Sequence, residues 1–195
     1  MKKLVTCKEM KDLDSTTIRE IGVPSEVLME RAALKVVEET EKYLQKDERI
    51  LVVCGSGNNG GDGIAIARLF HLKGIRVEFY MVGNKDKMTR ETALQYKIAS
   101  GYRVPEVNNP QWSEYTTIVD AVFGVGLTRP IEGHYADIIH EMNSARAKKI
   151  AVDIPSGVNG DTGLEMGIAF SADLTVTFAY RKRGLCFYPG RLYAG

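Results

Sequence analysis

Polar and apolar positions over residues 6–44 repeat with the spacing of helices. The first apolar stripe consists of Met10, Leu13, Thr17 and Ile21. Thr6 and Glu9 have the spacing of a capping box, so a helix is expected to begin there. Gly22 and Pro24 interrupt the pattern, and a second stripe over residues 29–44 predicts a longer helix. The chain is therefore expected to open with two helices.

After this pair, short apolar runs alternate with helical segments. The predicted strands are Arg49–Cys54, Val77–Val82, Thr117–Phe123, Ile150–Ile154 and Leu174–Phe178. The predicted helices between them are Ile64–Leu72, Glu91–Ala99 and Tyr135–Ala145. Strands joined by single helices form a parallel sheet with helices on both faces. We predict an α/β fold, a three-layer α/β/α Rossmann-like sandwich with a mainly parallel central sheet and two extra N-terminal helices, as one domain over residues 1–195.

Composition and charge narrow the class of protein. The chain has 195 residues, 44% of them hydrophobic and 26% charged, with a net charge of +1. This balance does not favour a nucleic-acid partner, and the basic run Arg181–Arg183 is expected to be solvated surface. Three scattered cysteines, no signal-peptide pattern and no apolar run of about 20 residues predict a cytoplasmic protein without a membrane partner.

Three segments that follow predicted strands combine glycines with short polar side chains. They read GSGNNGGDG, DAVFGVGLTRPIEG and DIPSGVNGDTG. Ligands of parallel sheets bind beyond the carboxyl ends of the strands, so these segments are the candidate site. We expect Gly60 and Gly61 to lie at the start of a helix that begins near Asp62, where free backbone N–H groups bind a phosphate. A P-loop hydrolase is excluded, because no Gly-Lys-Ser/Thr follows.

The first segment also has the G-x-G-x-x-G spacing of an NAD-dependent oxidoreductase. Glu78 follows at about the distance of a ribose-binding carboxylate. However, Glu78 lies within a predicted strand, and the asparagines of NNGGDG are unusual where such a helix begins. Amide, hydroxyl and carboxylate oxygens suit alkali or alkaline-earth cations. Asp120 and Ser156 follow neighbouring strands and could converge on Asn59 around such an ion.

Three stretches in this order resemble the YjeF N-terminal-domain family. They are VVCGSGNNGGDGIAIARLF, DAVFGVGLTRPIEGHYADII and VDIPSGVNGDTG, and GVPSEVLMERAA and ADLTVTF extend the likeness over nearly the whole chain. The resemblance implies an isomerase of nicotinamide nucleotide repair, an NAD(P)H-hydrate epimerase that interconverts the R and S forms of hydrated NADH and NADPH (NADHX and NADPHX). It also implies a homodimer, and as functional partner an S-specific, ADP- or ATP-dependent dehydratase that is fused to some members.

The resemblance carries over residue by residue. It implies potassium as cofactor, with Asn59, Asp120 and Ser156 as ligands and backbone carbonyls near residues 123–125 completing the shell. It implies that Asp153 contacts the substrate, and we expect this residue to carry the acid–base chemistry, because the stiff turn at Ile154–Pro155 would hold its carboxyl over the crevice. The implied substrate-binding residues are Asn58, Asn59, Gly60, Gly61, Asp62, Gly124, Val125, Gly126, Leu127, Thr128, Arg129, Pro130, Tyr135 and Asp153.

Three questions stay open at the level of sequence. Family members usually continue past the YPG motif with another apolar strand, whereas this chain stops at Gly195, so it is either a natural variant or a piece of a longer, bifunctional protein. Other members act as non-catalytic binding modules, which leaves a nucleotide-binding partner protein as the alternative to the enzyme. The residues do not distinguish a preference for NADHX from one for NADPHX.

Overall fold

A parallel sheet of five strands is the centre of the molecule in the computed structural model, which describes residues 3–195. The strands in chain order are β1 Leu4–Val5, β2 Arg49–Cys54, β3 Arg76–Met81, β4 Thr117–Ala121, β5 Lys148–Val152, β6 Leu174–Val176 and β7 Arg181–Lys182. The central sheet has the order β3-β2-β4-β5-β6, with every neighbouring pair parallel. Winding therefore reverses between β2 and β4, and ligands of open α/β sheets bind at such a reversal.

Helices cover both faces of this sheet, which confirms the predicted three-layer sandwich. They are α1 Cys7–Arg19, α2 Ser25–Glu41, α3 Asn58–Leu72, α4 Arg90–Gly101, α5 His134–Ser144 and α6 Gly190–Tyr193. Apolar side chains of α2, α3 and α4 form one core with the sheet, and those of α5 form a second core on the opposite face. The continuous apolar run of β2 is buried, as expected for a strand covered on both sides.

Two boundaries differ from the prediction for identifiable reasons. Helix α3 begins at Asn58 rather than after Asp62, because the Gly57 carbonyl accepts bonds from the N–H groups of Gly60 (2.9 Å) and Gly61 (3.3 Å). Strand β6 ends before Phe178, because the N–H of that residue donates to the Asp153 carboxylate (3.0 Å) instead of continuing the sheet. The early start of α3 and the early end of β6 leave backbone N–H groups at the carboxyl edge of the sheet.

A second, two-stranded sheet joins the N-terminal segment to the end of the chain. Strand β1 pairs in parallel with β7, and Val5 lies opposite Lys182. The predicted capping box between Thr6 and Glu9 is present at the start of α1. The N–H of Cys7 donates to Asp161 (2.6 Å), in the loop that follows β5. These contacts fix β1 and α1 beside the carboxyl edge of the central sheet.

None of the helices within residues 3–195 combines the length and the apolar character that crossing a membrane would require.

Candidate functional site

The start of α3 offers unpaired backbone N–H groups at the reversal of the sheet. Gly57 stands before the helix in extended conformation, and no side chain of the described residues caps its first turn. Gly57 and Asn58 are exposed. Thr92 of α4 donates to the Gly57 carbonyl (2.9 Å), and the N–H of Thr89 donates to the Ser56 carbonyl (3.0 Å). Helix α4 therefore braces a loop whose N–H groups face solvent, an arrangement that suits an anion.

Gly60 and Gly61 lie in the first turn of α3 and pack closely on neighbouring chain. Both are buried, and a Cβ on Gly60 would lie 1.8 Å from the Gly55 carbonyl oxygen. A Cβ on Gly61 would lie 2.8 Å from the Met29 methyl and 2.9 Å from the Thr92 hydroxyl. The absence of side chains at these two positions therefore lets the turn pack against its neighbours. The exposed positions of this turn are Gly57 and Asn58.

The three residues implied as cation ligands lie in the first turn of α3 (Asn59), near the end of β4 (Asp120) and in the loop after β5 (Ser156), and contacts link these segments. The Asn59 side chain lies against Gly124, where a Cβ would come within 3.3 Å of its Cγ. The N–H of Phe123 donates to the Ser156 hydroxyl (2.8 Å). That hydroxyl in turn donates to Asp120 (2.6 Å), whose other oxygen accepts from the Ser156 N–H (2.7 Å). The ends of β2, β4 and β5 thus meet at one place.

Asp120 is fully buried, and none of the ion pairs formed among residues 3–195 includes it. Burial raises the pKa of its carboxyl to about 6, although hydrogen bonds from Ser156 and Val122 favour the charged form. The amide nitrogen of Asn59 is also buried, without a hydrogen-bond partner among the described residues. Its nitrogen and oxygen positions are interchangeable by rotation. A buried carboxylate, a hydroxyl and an unpaired amide fit a monovalent cation, which prefers hard oxygen ligands.

The loop after β4 borders this place and extends into solvent. Gly124, Val125 and Leu127 are half-buried, whereas Gly126, Thr128, Arg129 and Pro130 are exposed. Tyr135, in the first turn of α5, packs on Phe123 with ring centroids 5.0 Å apart. The implied second substrate segment therefore forms an accessible rim, and Tyr135 supports its base.

Asp153 leaves β5 in a conformation that is rare for residues other than glycine. Its φ is +68°, in the left-handed region, and its side chain is 12% exposed. One carboxylate oxygen, Oδ1, forms an ion pair with the Lys182 ammonium and accepts from Thr177 (3.2 Å) and from the Phe178 N–H (3.0 Å). These bonds, rather than the stiffness of Ile154–Pro155, orient the carboxylate. Lys182 is 1% exposed, so its assignment to solvated surface was wrong.

Two more carboxyl groups belong to the surroundings of this ion pair. Burial raises the pKa of Asp62 well above its usual value, the charges of Asp153 and Asp14 raise it further, and Lys182 lowers it. The pKa of Asp14, on α1, is also raised by burial, with Lys182 opposing the shift. Asp62 lies in the first turn of α3 and Asp153 at the end of β5. The site thus combines a carboxyl whose pKa is raised by burial with a carboxylate that is paired with an ammonium.

Glu78, the candidate ribose ligand of the oxidoreductase reading, has structural partners. It accepts from Tyr115 (2.7 Å) and from Arg49 (3.1 Å) in the interior of β3. Its neighbour across the sheet is Leu51, in the middle of β2. Glu78 therefore stabilises the sheet away from the glycine loop.

A family model described as the YjeF-related protein N-terminus matches residues 25–184. The chain belongs to this family. Its curated YjeF-related relatives include proteins named NAD(P)H-hydrate epimerase from Limosilactobacillus reuteri, Oenococcus oeni and Limosilactobacillus fermentum. They are 49%, 48% and 46% identical, and the matches cover 99%, 98% and 98% of this chain and 92% of each relative.

The crystal structure of a yeast protein, ynu0, has the same fold. The TM-score is 0.84 at 24% sequence identity, over 94% of this chain and 83% of the yeast chain. The region matched by the YjeF-related model begins at the first residue of α2 and includes all three loops and Lys182. Strand β1 and helix α1 precede that region, although β1 pairs with the strand that bears Lys182.

Proposed function

We propose that this protein is an NAD(P)H-hydrate epimerase, which interconverts the R and S forms of NADHX and NADPHX. The observation that carries the proposal is the identity of 46–49% with epimerases over at least 98% of the chain. The geometry supports it. An open helix start, an accessible rim and a paired carboxylate lie along one edge of the sheet, which suits a dinucleotide bound across the reversal between β2 and β4.

Each end of the substrate has suitable partners. The N–H groups at the start of α3 and the exposed guanidinium of Arg129 bind phosphate oxygens. The hydrated nicotinamide ring lies beside Asp153. The half-buried Asn59 and the residues 124–130 then line the path between the two ends.

Asp153 supplies the acid–base step. Epimerisation requires the hydroxyl of the hydrated carbon to leave or the ring to open, and both routes move a proton at that oxygen. Paired with a buried ammonium, Asp153 carries a negative charge and begins as a base. Ring opening is the route that starts with removal of the hydroxyl proton, so the ion pair favours it.

Potassium is the cation we propose at Asn59, Asp120 and Ser156. Support comes from the buried, uncompensated Asp120 carboxylate and the unpaired Asn59 amide. A bound monovalent charge would stabilise the ionised form of Asp120 and hold the loops after β2, β4 and β5 together. The reaction itself takes place at the substrate ring, beside Asp153.

The wider setting belongs to the same proposal. The S epimer is consumed by an ADP- or ATP-dependent dehydratase, and the enzyme acts in the cytoplasm as a homodimer. The family resemblance supports the dehydratase and the homodimer, and the three scattered cysteines support the cytoplasmic location. Apolar side chains left exposed on α2 and just before it, Val27, Leu34 and Ile21, offer surface for a second chain.

The deciding experiment incubates R-NADHX with the protein and an S-specific dehydratase, which can act only on the S epimer that the protein forms. We expect recovery of NADH well above the rate in a mixture without the protein. Asp153→Asn should slow recovery by about 10²- to 10⁴-fold, the usual contribution of general acid–base catalysis. Tight binding without recovery would point to the non-catalytic module, and hydride transfer with unmodified NAD would point to the oxidoreductase. Either result would overturn the proposal.

A further inference from the structure

Lys182 is a charged residue with almost no access to solvent. It is 1% exposed and lies on β7, beyond the carboxyl edge of the central sheet. Its ammonium donates to Asp153 Oδ1, to the Thr177 hydroxyl (3.2 Å) and to the Phe178 carbonyl (3.1 Å). An ammonium has three protons, and here all three have acceptors. Lys182 therefore has no proton left for a substrate.

The two oxygens of Asp153 differ sharply. Oδ1 accepts three hydrogen bonds, from the Lys182 ammonium, the Thr177 hydroxyl and the Phe178 N–H. Among residues 3–195, no hydrogen bond reaches Oδ2. A carboxylate can accept about four bonds, so the unused capacity is concentrated on one oxygen. The left-handed backbone at Asp153 holds the side chain in this asymmetric position.

We propose that Lys182 is a positioning residue for the epimerisation: together with Thr177 it holds Asp153 by Oδ1 and leaves Oδ2 as the oxygen that exchanges a proton with the substrate. The inference rests on the proposed function. It assigns a task to a side chain that does not touch the substrate and that acts only through Asp153.

Transfer of one proton to Oδ2 opens the substrate ring, and its return closes the ring again. Oδ2 takes the proton of the ring hydroxyl, and the O–H electron pair becomes the second bond of a carbonyl. The carbon–nitrogen bond of the ring breaks, and its pair moves to the ring nitrogen, which is conjugated with the carboxamide. Reclosure on the other face of the carbonyl reverses each change and returns the proton, so no oxidant or reductant is needed.

The surrounding elements explain why an ammonium is required. Asp62 on α3 and Asp14 on α1 are near enough for the charges of Asp153 and Lys182 to act on them, although among residues 3–195 only Asp153 is paired with the Lys182 ammonium. Without Lys182, the Asp153 carboxylate would lie largely buried among like charges, with no cation beside it. The pairing of β1 with β7 fixes the backbone of Lys182 opposite Val5. The N-terminal segment is thereby part of the support for the proton-transfer group.

The test compares Lys182→Met, which keeps the apolar stem, with Lys182→Arg, which keeps the charge. In the coupled assay, Lys182→Met should lower kcat by about 10- to 100-fold, as loss of a supporting residue does, with little change in KM. The acid limb of its pH–rate profile should move to higher pH, because Asp153 is more readily protonated without the ammonium. Lys182→Arg should keep the wild-type acid limb and recover part of kcat.

Two further variants distinguish loss of the positioning role from loss of the folded structure. Removing one partner of a buried ion pair is strongly destabilising, whereas removing both is often neutral. Lys182→Met/Asp153→Asn should therefore melt closer to the wild type than Lys182→Met alone, and be as inactive as Asp153→Asn. Thr177→Val loses the hydroxyl and keeps both charges, so it should lower kcat several-fold without moving the acid limb.

An active wild type combined with unchanged kcat and unchanged pH profiles in folded Lys182→Met would overturn the inference and leave the proposed function standing. An inactive wild type would overturn both. If Lys182→Met unfolds, Thr177→Val decides the matter: wild-type kcat there would contradict the positioning role.

Discussion

Asp62 is an acidic residue in surroundings that disfavour its charge. Burial and the nearby Asp153 and Asp14 raise its pKa well above the usual value. The folded protein therefore holds a proton more tightly than the unfolded chain does. The contribution of the Asp62 proton to the free energy of unfolding is fully present below the ordinary pKa of an aspartate, near 4. It is lost as the pH rises through the pKa that Asp62 has in the folded protein.

We expect Asp62→Asn to be more stable than the wild type at neutral pH, since the amide carries no charge to bury. The difference in urea midpoint should shrink as the pH falls towards about 4, where both side chains are neutral in the folded state. A variant that is equally or less stable at neutral pH would contradict the argument. Higher stability with slower epimerisation would mark Asp62 as a residue retained for function.

Single residues also show where sequence reasoning reaches its limit. Asp153 stands out in the sequence, because it follows an apolar strand and precedes Ile-Pro. Its partner Lys182 lies 29 positions later within a basic run that has the composition of solvated surface. Burial of such a lysine depends on β7 pairing with β1, two strands of two residues each. So short a pairing leaves no periodic pattern in the sequence.

At the scale of elements, the first turn of α3 is the least predictable part of the site. Asparagine and glycine are weak helix formers, so NNGGDG was predicted to be a loop. Tertiary contacts reverse this preference, because Gly60 packs on Gly55, and Gly61 packs on Met29 and Thr92. The helix begins one turn early for reasons of close packing, which composition does not reveal.

This packing predicts that alanine at Gly60 destabilises the protein, whereas alanine at Gly57 changes its stability little. Gly60→Ala would place a methyl 1.8 Å from the Gly55 carbonyl oxygen, so the backbone would have to move. We expect a loss of at least about 1–3 kcal/mol of unfolding free energy. Gly57→Ala is the matched control, because its φ of −81° suits alanine and no atom of residues 3–195 outside Gly57 and its two chain neighbours lies within 4 Å of the new methyl. It should change stability by less than about 1 kcal/mol in urea unfolding. Equal stability of the two variants would refute the packing argument.

For the whole molecule, the parallel arrangement of the strands was accessible from the sequence. Apolar runs separated by single helices required a parallel sheet, and the rule for ligands at strand ends selected the three loops that the structure brings to one edge. The register of contacts within that edge was not accessible. The pairing of both Asp120 oxygens with Ser156, and the lack of a partner for the Asn59 amide among residues 3–195, depend on bends after each strand that carry no pattern in the sequence.

The proposed potassium site joins three of these strand ends, so its occupation should stabilise the whole molecule. A ligand bound only by the folded state, at ten times its dissociation constant, adds about 1.4 kcal/mol. For a domain of this size that gain raises the melting temperature by roughly 3–6 °C. The measurement compares thermal unfolding in potassium chloride and in choline chloride at equal ionic strength, which keeps screening constant.

The variants follow from the geometry around the Asn59 amide. Asn59→Ala removes the side chain that lies against Gly124, and the potassium-dependent rise in melting temperature should disappear. Asn58→Ala changes the exposed neighbour in the same helical turn and should keep the rise. Ser156→Ala should behave like Asn59→Ala, with an added loss of stability because Asp120 loses the hydroxyl bonded to it. If the wild type melts at the same temperature in both salts, or if Asn59→Ala keeps the full response, the three side chains do not bind potassium. The burial of Asp120 without a cation would then require a protonated, neutral carboxyl. Its raised pKa of about 6 allows that form only in mildly acidic solution.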